Sequence, residues 1–174
     1  MVPGRNKPKS FTGDIPWVTT NDLIHLGTTM HSKQSIGLSD EEIKKVKAKV
    51  VPQDSVLMTC VGDLGVVSIA GMPMVINQQL HAFQCKNKLR SNFLMYVLSF
   101  QKGYMLKMAS STTVPYMNKA ICNSIPMIVP PLKLQDEFTT LANMIRGSLI
   151  KKKKSSIGLS EFFSSLTQRA FAAN

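Results

Sequence analysis

Apolar residues recur along the chain with different periods, and each period predicts a different element. From Leu132 to Ala173 the period is helical: Phe138, Ile145, Leu159 and Leu166 fall at heptad spacing, Leu141 and Phe162 lie three residues after one of them, and Ala142, Leu149, Phe163 and Ala170 lie one step further round. Such spacing lays one apolar stripe along one face of a helix. Pro130-Pro131 ends the extended run before it, and Gln135-Asp136-Glu137 puts acidic residues in the expected first turn, where the helix dipole favours them. At 1.5 Å per residue an unbroken helix here is roughly 60 Å long. That exceeds what a small domain needs, so the stripe is expected to reach a partner helix. Its middle is weak, because Lys151 to Lys154 put lysine on a stripe position and Gly158 costs about 1 kcal/mol relative to alanine. A kink there fits the pattern as well as a straight helix does.

Upstream the apolar runs are shorter. Val51–Gly62 reads as a turn feeding a strand, and Val66–Ala70 and Val75–Cys85 read as strands; with turns at Gly62-Asp63-Leu64-Gly65 and Gly71-Met72-Pro73 they suggest a meander or part of a barrel. Ile15–Val18 is a short β-rich run followed by helix-cap residues, and Trp17 within it is expected to anchor the core, with base stacking or a partner contact as the alternative. Ser39 with Glu42 fits a capping box that opens a short basic helix or an extended turn. Residues 92–101 read as a helix with Phe93, Leu94, Val97 and Leu98 on one side; residues 110–116 read as a hydroxyl-rich loop, and Asn118 as the start of a short turn. Residues 1–12 and 24–38 show no period. The expected fold is α+β: a mixed α/β domain over residues 1–131 with a small twisted sheet or partial barrel, then a long coiled-coil-type α-helix over 132–174.

Composition narrows the function. No apolar stretch approaches the roughly 18 residues of a membrane span. The polar, basic start has no apolar core of a signal peptide, so a cytoplasmic protein without a membrane partner is expected. Cys60, Cys85 and Cys122 are widely spaced in apolar settings and read as reduced thiols. The net charge of +11 divides into +7 over residues 1–132 and +4 over 133–174, which suits a surface facing a polyanion; a basic fringe kept for solubility is the alternative.

Chemistry of the usual kinds is missing. His25, His31 and His81 have no cysteine or carboxylate at a metal-like interval, so no metal site is expected. Gly62 and Gly65 lack the glycine frame and the Lys-Ser/Thr of a phosphate loop. No S-adenosylmethionine-type glycine loop, no Asn-Pro-Pro-aromatic motif, no nuclease-like Asp with a Glu-x-Lys partner and no Gly-x-Ser-x-Gly elbow occurs. The chain is therefore expected to be no catalyst on its own and to hold no cofactor. DNA binding is the remaining use of the charge, with phosphate contacts from Lys86, Lys88, Arg90 and Lys119 and base or groove contacts from Gln84, Asn87, Thr112, Thr113 and Tyr116. For each, a solvated loop residue is the plainer reading. The stripe residues expected to meet a partner helix are Phe138, Leu141, Ile145, Leu149, Leu159, Phe162 and Leu166.

In order along the chain, Gly13-Asp14-Ile15-Pro16-Trp17-Val18-Thr19 with Asp22, Val51-Pro52, Ser55 to Thr59 with Gly62 and Gly65, Asn77-Gln78 and Phe83 form one pattern. It continues with Thr112 to Pro115, Asn118, Ile125-Pro126, Val129 to Leu132, Gln135 and Leu166 to Phe171. This ordered set resembles half of a type I restriction-modification specificity subunit: one target recognition domain and one of the family's conserved helical regions. Two departures stand out, since the usual subunit carries two of each and the stretch before Gly13 is cut to twelve residues. A natural half-subunit, a silent cassette of a shuffling locus and a truncated form all fit.

The resemblance implies a domain that reads one half of a split double-stranded DNA site. It implies a helix that pairs antiparallel with a second helix, sets the half-site distance and docks methyltransferase subunits, with a restriction subunit in the same complex. S-adenosylmethionine would then belong to the methyltransferase partner. Gln78, as part of the pattern, is expected to hold the fold and not to read sequence. A single recognition domain on a self-complementary helix also permits a homodimer, or pairing with a second half-subunit, that reads a palindrome. The competing readings are a basic coiled-coil interaction protein or a stored, inactive cassette, neither with sequence-specific DNA binding.

Overall fold

The computed structural model describes residue 11, residues 13–110 and residues 113–171, with the side chains of residue 154 and of residues 157–171 outside the description. The short strands are arranged in two four-stranded sheets. The first holds β1 (Ile15–Val18), β3 (Gly37–Leu38), β4 (Val50–Val51) and β7 (Met74–Ile76) in the order β3-β1-β7-β4. The second holds β2 (Thr28–Thr29), β5 (Val56–Thr59), β6 (Val67–Ala70) and β8 (Leu80–Phe83) in the order β2-β6-β5-β8. The helices are α1 (Asp40–Val46), α2 (Ser91–Phe100), α3 (Lys102–Met108), α4 (Lys119–Asn123) and α5 (Leu132–Phe171). The chain falls into two compact units that divide between Gln135 and Asp136. The fold is α+β, and neither sheet closes into a barrel.

Within the first unit the expected meander is only half right. β5 and β6 form an antiparallel hairpin and β8 returns antiparallel on the other side of β5. The run from Val75 to Cys85, which reads as one strand, is instead cut by a turn at residues 77–79, where Leu80 N–H donates to Asn77 C=O and Gln79 N–H donates to Asn77 Oδ1. β7 therefore goes to one sheet and β8 to the other. The two-residue strands β2, β3 and β4 carry no readable period. They are fixed by pairing, β3 and β4 antiparallel to β1 and β7, and β2 parallel to β6. β1 also pairs parallel with β7, Trp17 opposite Val75.

The core follows from these pairings. β5 and β6 are buried along their whole length, and α2 lies against both. Leu57 and Ala70 join Val18, Leu23, Val51, Met74 and Leu80 in one apolar cluster, while Trp17, Leu38 and Val75 form a second, with Phe11 packed against it. Trp17 thus anchors the core as expected. The buried Ser68 of β6 is satisfied by a short relay: Ile24 N–H donates to Thr29 Oγ1, which lies 2.7 Å from Ser68 Oγ, and Ser68 Oγ–H donates to Gly27 C=O. Ser39 and Glu42 form the expected capping box on α1, through Glu42 N–H to Ser39 Oγ and Ser39 N–H to Glu42 Oε2. Gly65 sits at φ +78° in the β5–β6 turn, where a Cβ would also come within 3.0 Å of Met105 Sδ.

Two expectations need correction here. The side chain of Gln78 is exposed, and what its residue contributes is a carbonyl that accepts from the Cys60 thiol; Asn77 holds the turn. α5 starts at Leu132, with the N–H groups of Leu134 and Gln135 donating to Pro131 C=O, so Asp136 and Glu137 fall in the second turn and the first turn has no acid. The second unit is helical from Asp136, and the α5 backbone continues past Gly158 to Phe171 as one helix. On it Phe138, Leu141, Ile145 and Leu149 are exposed, Leu141 by 61%. The side chains of Leu159, Phe162 and Leu166 lie outside the described residues.

Candidate nucleic-acid interface

Most of the residues with binding chemistry are positioned by β8 and the loop after it. Among the described residues β8 is the terminal strand of its sheet, paired with β5. Beyond Phe83 the chain leaves the sheet and crosses to α2 through Gln84 to Arg90, closed by the N–H of Leu89 donating to Lys86 C=O. Arg90 is the N-cap of α2, and it has no side-chain cap there. The loop is instead fastened by Gln135, which is fully buried: its Oε1 accepts from Arg90 N–H at 2.9 Å, and its Nε2 donates to Lys88 C=O at 2.9 Å and to Pro130 C=O at 2.8 Å. One amide side chain thus ties the basic loop to the first turn of α5.

Between β8, this loop, α2 and α4 lies a cavity of about 420 Å³. Gln84, Lys86, Lys88 and Lys119 all line it, so four of the residues singled out from the sequence meet at one place although Lys119 lies far along the chain from the others. Asn87 is exposed on the same loop. Arg90 does not line the cavity; it is exposed at the start of α2. Tyr116 and Thr113 belong to a separate loop pinned by Ser110 and Tyr116, whose N–H groups donate to each other's carbonyls, and by Gly62 N–H donating to Pro115 C=O. That last bond, with Gly65 N–H donating to Thr59 C=O, commits the two turn glycines' amides to the fold and not to an anion. Tyr116 is 44% exposed and Thr113 is exposed, whereas Thr112 lies outside the described residues.

His81 and Asn123 also line the cavity, and sequence reasoning assigns neither to the site. His81 of β8 lies with its Nε2 at 3.2 Å from Asn123 Oδ1 of α4, and its ring meets Phe83 edge-on at 4.6 Å. Burial lowers the His81 pKa; the Asn123 hydrogen bond opposes this and the Lys119 charge adds to it, so the imidazole is neutral at neutral pH. The spacing of His81, Phe83 and Cys85, every second residue along the run that reads as a strand, is the signal the sequence offers. Cys85 is held protonated by burial, against a hydrogen bond from Ser91, and Cys122 on the same cavity is held protonated by its hydrogen bond to Cys60 and by burial.

Among the described residues no three His, Cys, Asp or Glu side chains gather as a metal site, and no helix is long and apolar enough to cross a membrane. His25 is engaged by the fold, its Nδ1 accepting from Val67 N–H.

The arrangement is a cationic mouth over an apolar floor with neutral polar groups between them. The family model for the type I restriction modification DNA specificity domain matches residues 4–158. The chain belongs to this family. The type I restriction enzyme MjaIX specificity subunit of Methanocaldococcus jannaschii is 23% identical over 155 residues, which are 88% of this chain and 36% of that protein. The HsdS subunit from Thermoanaerobacter tengcongensis has a similar fold, at a TM-score of 0.66 and 19% identity over 86% of this chain and 35% of that one. A chain from a structure of complex assembly and conformational transition in a type I R-M system gives the same TM-score over 88% of this chain and 37% of that one. This type I specificity domain thus spans about a third of the length of the relatives it matches.

Proposed function

We propose that the chain is the DNA-reading, non-catalytic part of a type I restriction-modification specificity subunit. It recognises one half of a split duplex site through the β8–α2 loop, α4 and the Ser110–Tyr116 loop. The observation that carries this reading is the meeting of Gln84, Lys86, Lys88 and Lys119 at one cavity. Cations there neutralise phosphates, and neighbouring polar side chains on loops reach base edges. Arg90 and Asn87 extend the basic surface along the same loop. The exposed stripe of Phe138, Leu141, Ile145 and Leu149 on α5 is the docking surface for a second specificity helix, in another half-subunit or in a second copy of this chain. Methyltransferase and restriction subunits assemble on the resulting pair, in the cytoplasm, and S-adenosylmethionine is held by the methyltransferase.

The test is the salt dependence of duplex binding. Removing one lysine–phosphate pairing should lower the slope of log K against log salt by about 0.9. The triple variant K86A/K88A/K119A is expected to flatten that slope by between two and three units and to keep its far-UV circular dichroism. An unchanged slope would remove this face from the interface.

A further inference from the structure

The cavity beside β8 holds more chemistry than a phosphate contact needs. Three lysines, Lys86, Lys88 and Lys119, line it, and among the described residues no carboxylate does, which favours an anion. Its floor is apolar, with Phe83, Leu89, Leu94, Leu98, Ile125 and Met127, which a bare inorganic anion would leave uncovered. Between the two, the neutral His81, Asn123 and Gln84 offer hydrogen-bond donors and acceptors, and β8 runs along the cavity with one edge that no strand among the described residues covers. An apolar slot, a polar edge and a cationic rim match the three parts of a nucleotide: the faces of a base, its hydrogen-bonding edge and its phosphate. About 420 Å³ lies in the range of small-molecule pockets and is far too small for a duplex.

We infer that this cavity takes a single nucleotide unit, base inward and phosphate among Lys86, Lys88 and Lys119. The inference rests on the DNA-recognition reading for its choice of polyanion, and the unit has two possible sources: a nucleotide turned out of a DNA strand, or a free nucleotide. Turning a base out of a duplex costs a few kcal/mol, and least where the base is unpaired.

Cys85 provides the readout, because it lines the cavity and is only half-buried, whereas Cys60 and Cys122 are buried. The rate at which a maleimide alkylates Cys85 in the full chain would be followed by peptide mass spectrometry. A ligand present at ten times its Kd slows a blocked reaction by about tenfold. Protection of this size is expected from an equimolar mixture of the four deoxynucleoside 5′-monophosphates, and none beyond twofold from inorganic phosphate at the same concentration. K86A/K88A/K119A should lose the protection while keeping its circular dichroism. Wild-type protein alkylated at Cys85 beforehand should remain folded and no longer retain nucleotide in equilibrium dialysis.

A duplex with one unpaired nucleotide separates the sources. Protection at lower concentration than the free nucleotides, and not by the fully paired duplex, assigns the unit to a DNA strand; protection by mononucleotides without that gain assigns it to the free pool. No protection by any nucleotide, equal protection by phosphate, or protection only by an acidic peptide laid along the β8 edge would each overturn the inference. A steep salt slope for duplex binding with an unprotected Cys85 removes the pocket and leaves the DNA reading standing. Protection by mononucleotides with no duplex binding does the reverse.

Discussion

Replacing Gln135 by methionine keeps the length of the side chain and removes its amide. Three backbone groups then lose their partner together: the N–H of Arg90 and the carbonyls of Lys88 and Pro130. Each hydrogen bond is worth about 0.5–1.5 kcal/mol net, and a buried group left unpaired costs about 1–3 kcal/mol. Some water regains access at the exposed loop, so a total of roughly 3–5 kcal/mol is expected, a large share of the ~5–15 kcal/mol that stabilises a typical domain. With an m-value of about 2 kcal/mol/M, the urea midpoint should fall by about 1.5–2.5 M. Q135E sharpens the test. Its carboxylate still accepts from Arg90 N–H but faces two carbonyl acceptors, so its folded-state pKa must rise above the ordinary value of about 4.3. A raised folded pKa gives stability that is complete below the unfolded pKa and is lost as pH rises through the folded one, so Q135E should be more stable at pH 5 than at pH 7. Q135M within 1 kcal/mol of wild type, or Q135E no less stable at pH 7 than at pH 5, would refute the assignment of Gln135 as the fastening of the basic loop.

Other residues give independent checks. Asp22, only 4% exposed, accepts from the N–H and hydroxyl of Thr19 at 2.7 and 2.8 Å and from Lys33 N–H at 2.8 Å. Bonds to a charged acceptor are the stronger kind, so D22A should cost about 3 kcal/mol by chemical denaturation and D22N clearly less; equal losses would show that the charge is irrelevant. Because the His81 pKa is lowered in the folded protein, its share of stability is present above the ordinary value of 6.5 and is lost as pH falls below it. Thermal melts between pH 7.5 and 5.5 should therefore show a smaller fall for H81N than for wild type. If α5 pairs through its stripe, L141K/I145K removes two side chains each worth about 1.5–3 kcal/mol on burial. Sedimentation equilibrium should then show the dissociation constant of the pair rising by about 100-fold or more.

What was legible in the sequence is what depends on neighbours a few residues away. The Ser39–Glu42 box, the helix over residues 92–101 and the long α5 all rest on helical spacing or capping and were found. The strands β2, β3 and β4 rest on partners far along the chain and are too short to show a period. The Val75–Cys85 run is cut between two sheets by a turn in which Asn77 accepts from Gln79 N–H through its side chain and from Leu80 N–H through its carbonyl, a local fold that the apolar pattern does not show. At the site, Gln84, Lys86 and Lys88 were legible as a basic loop, but their meeting with Lys119 is made by the fold. His81 and Asn123 belong to no motif: the alternation of His81, Phe83 and Cys85 hints at a shared strand face, but the contact with Asn123 is made by the fold.

The parallel pairings have a consequence for how such a chain can be altered by genetic exchange. Trp17 is matched with Val75 and Thr28 with Ile69, so the opening segment is zipped to strands that are translated much later. A crossover falling between Thr29 and Val67 would marry one parent's opening segment to another parent's β6 and β7, and the ladder and core packing between them would have to tolerate the mixture. Hybrids joined there should be poorly soluble, and viable mosaics should inherit residues 13–76 as a block.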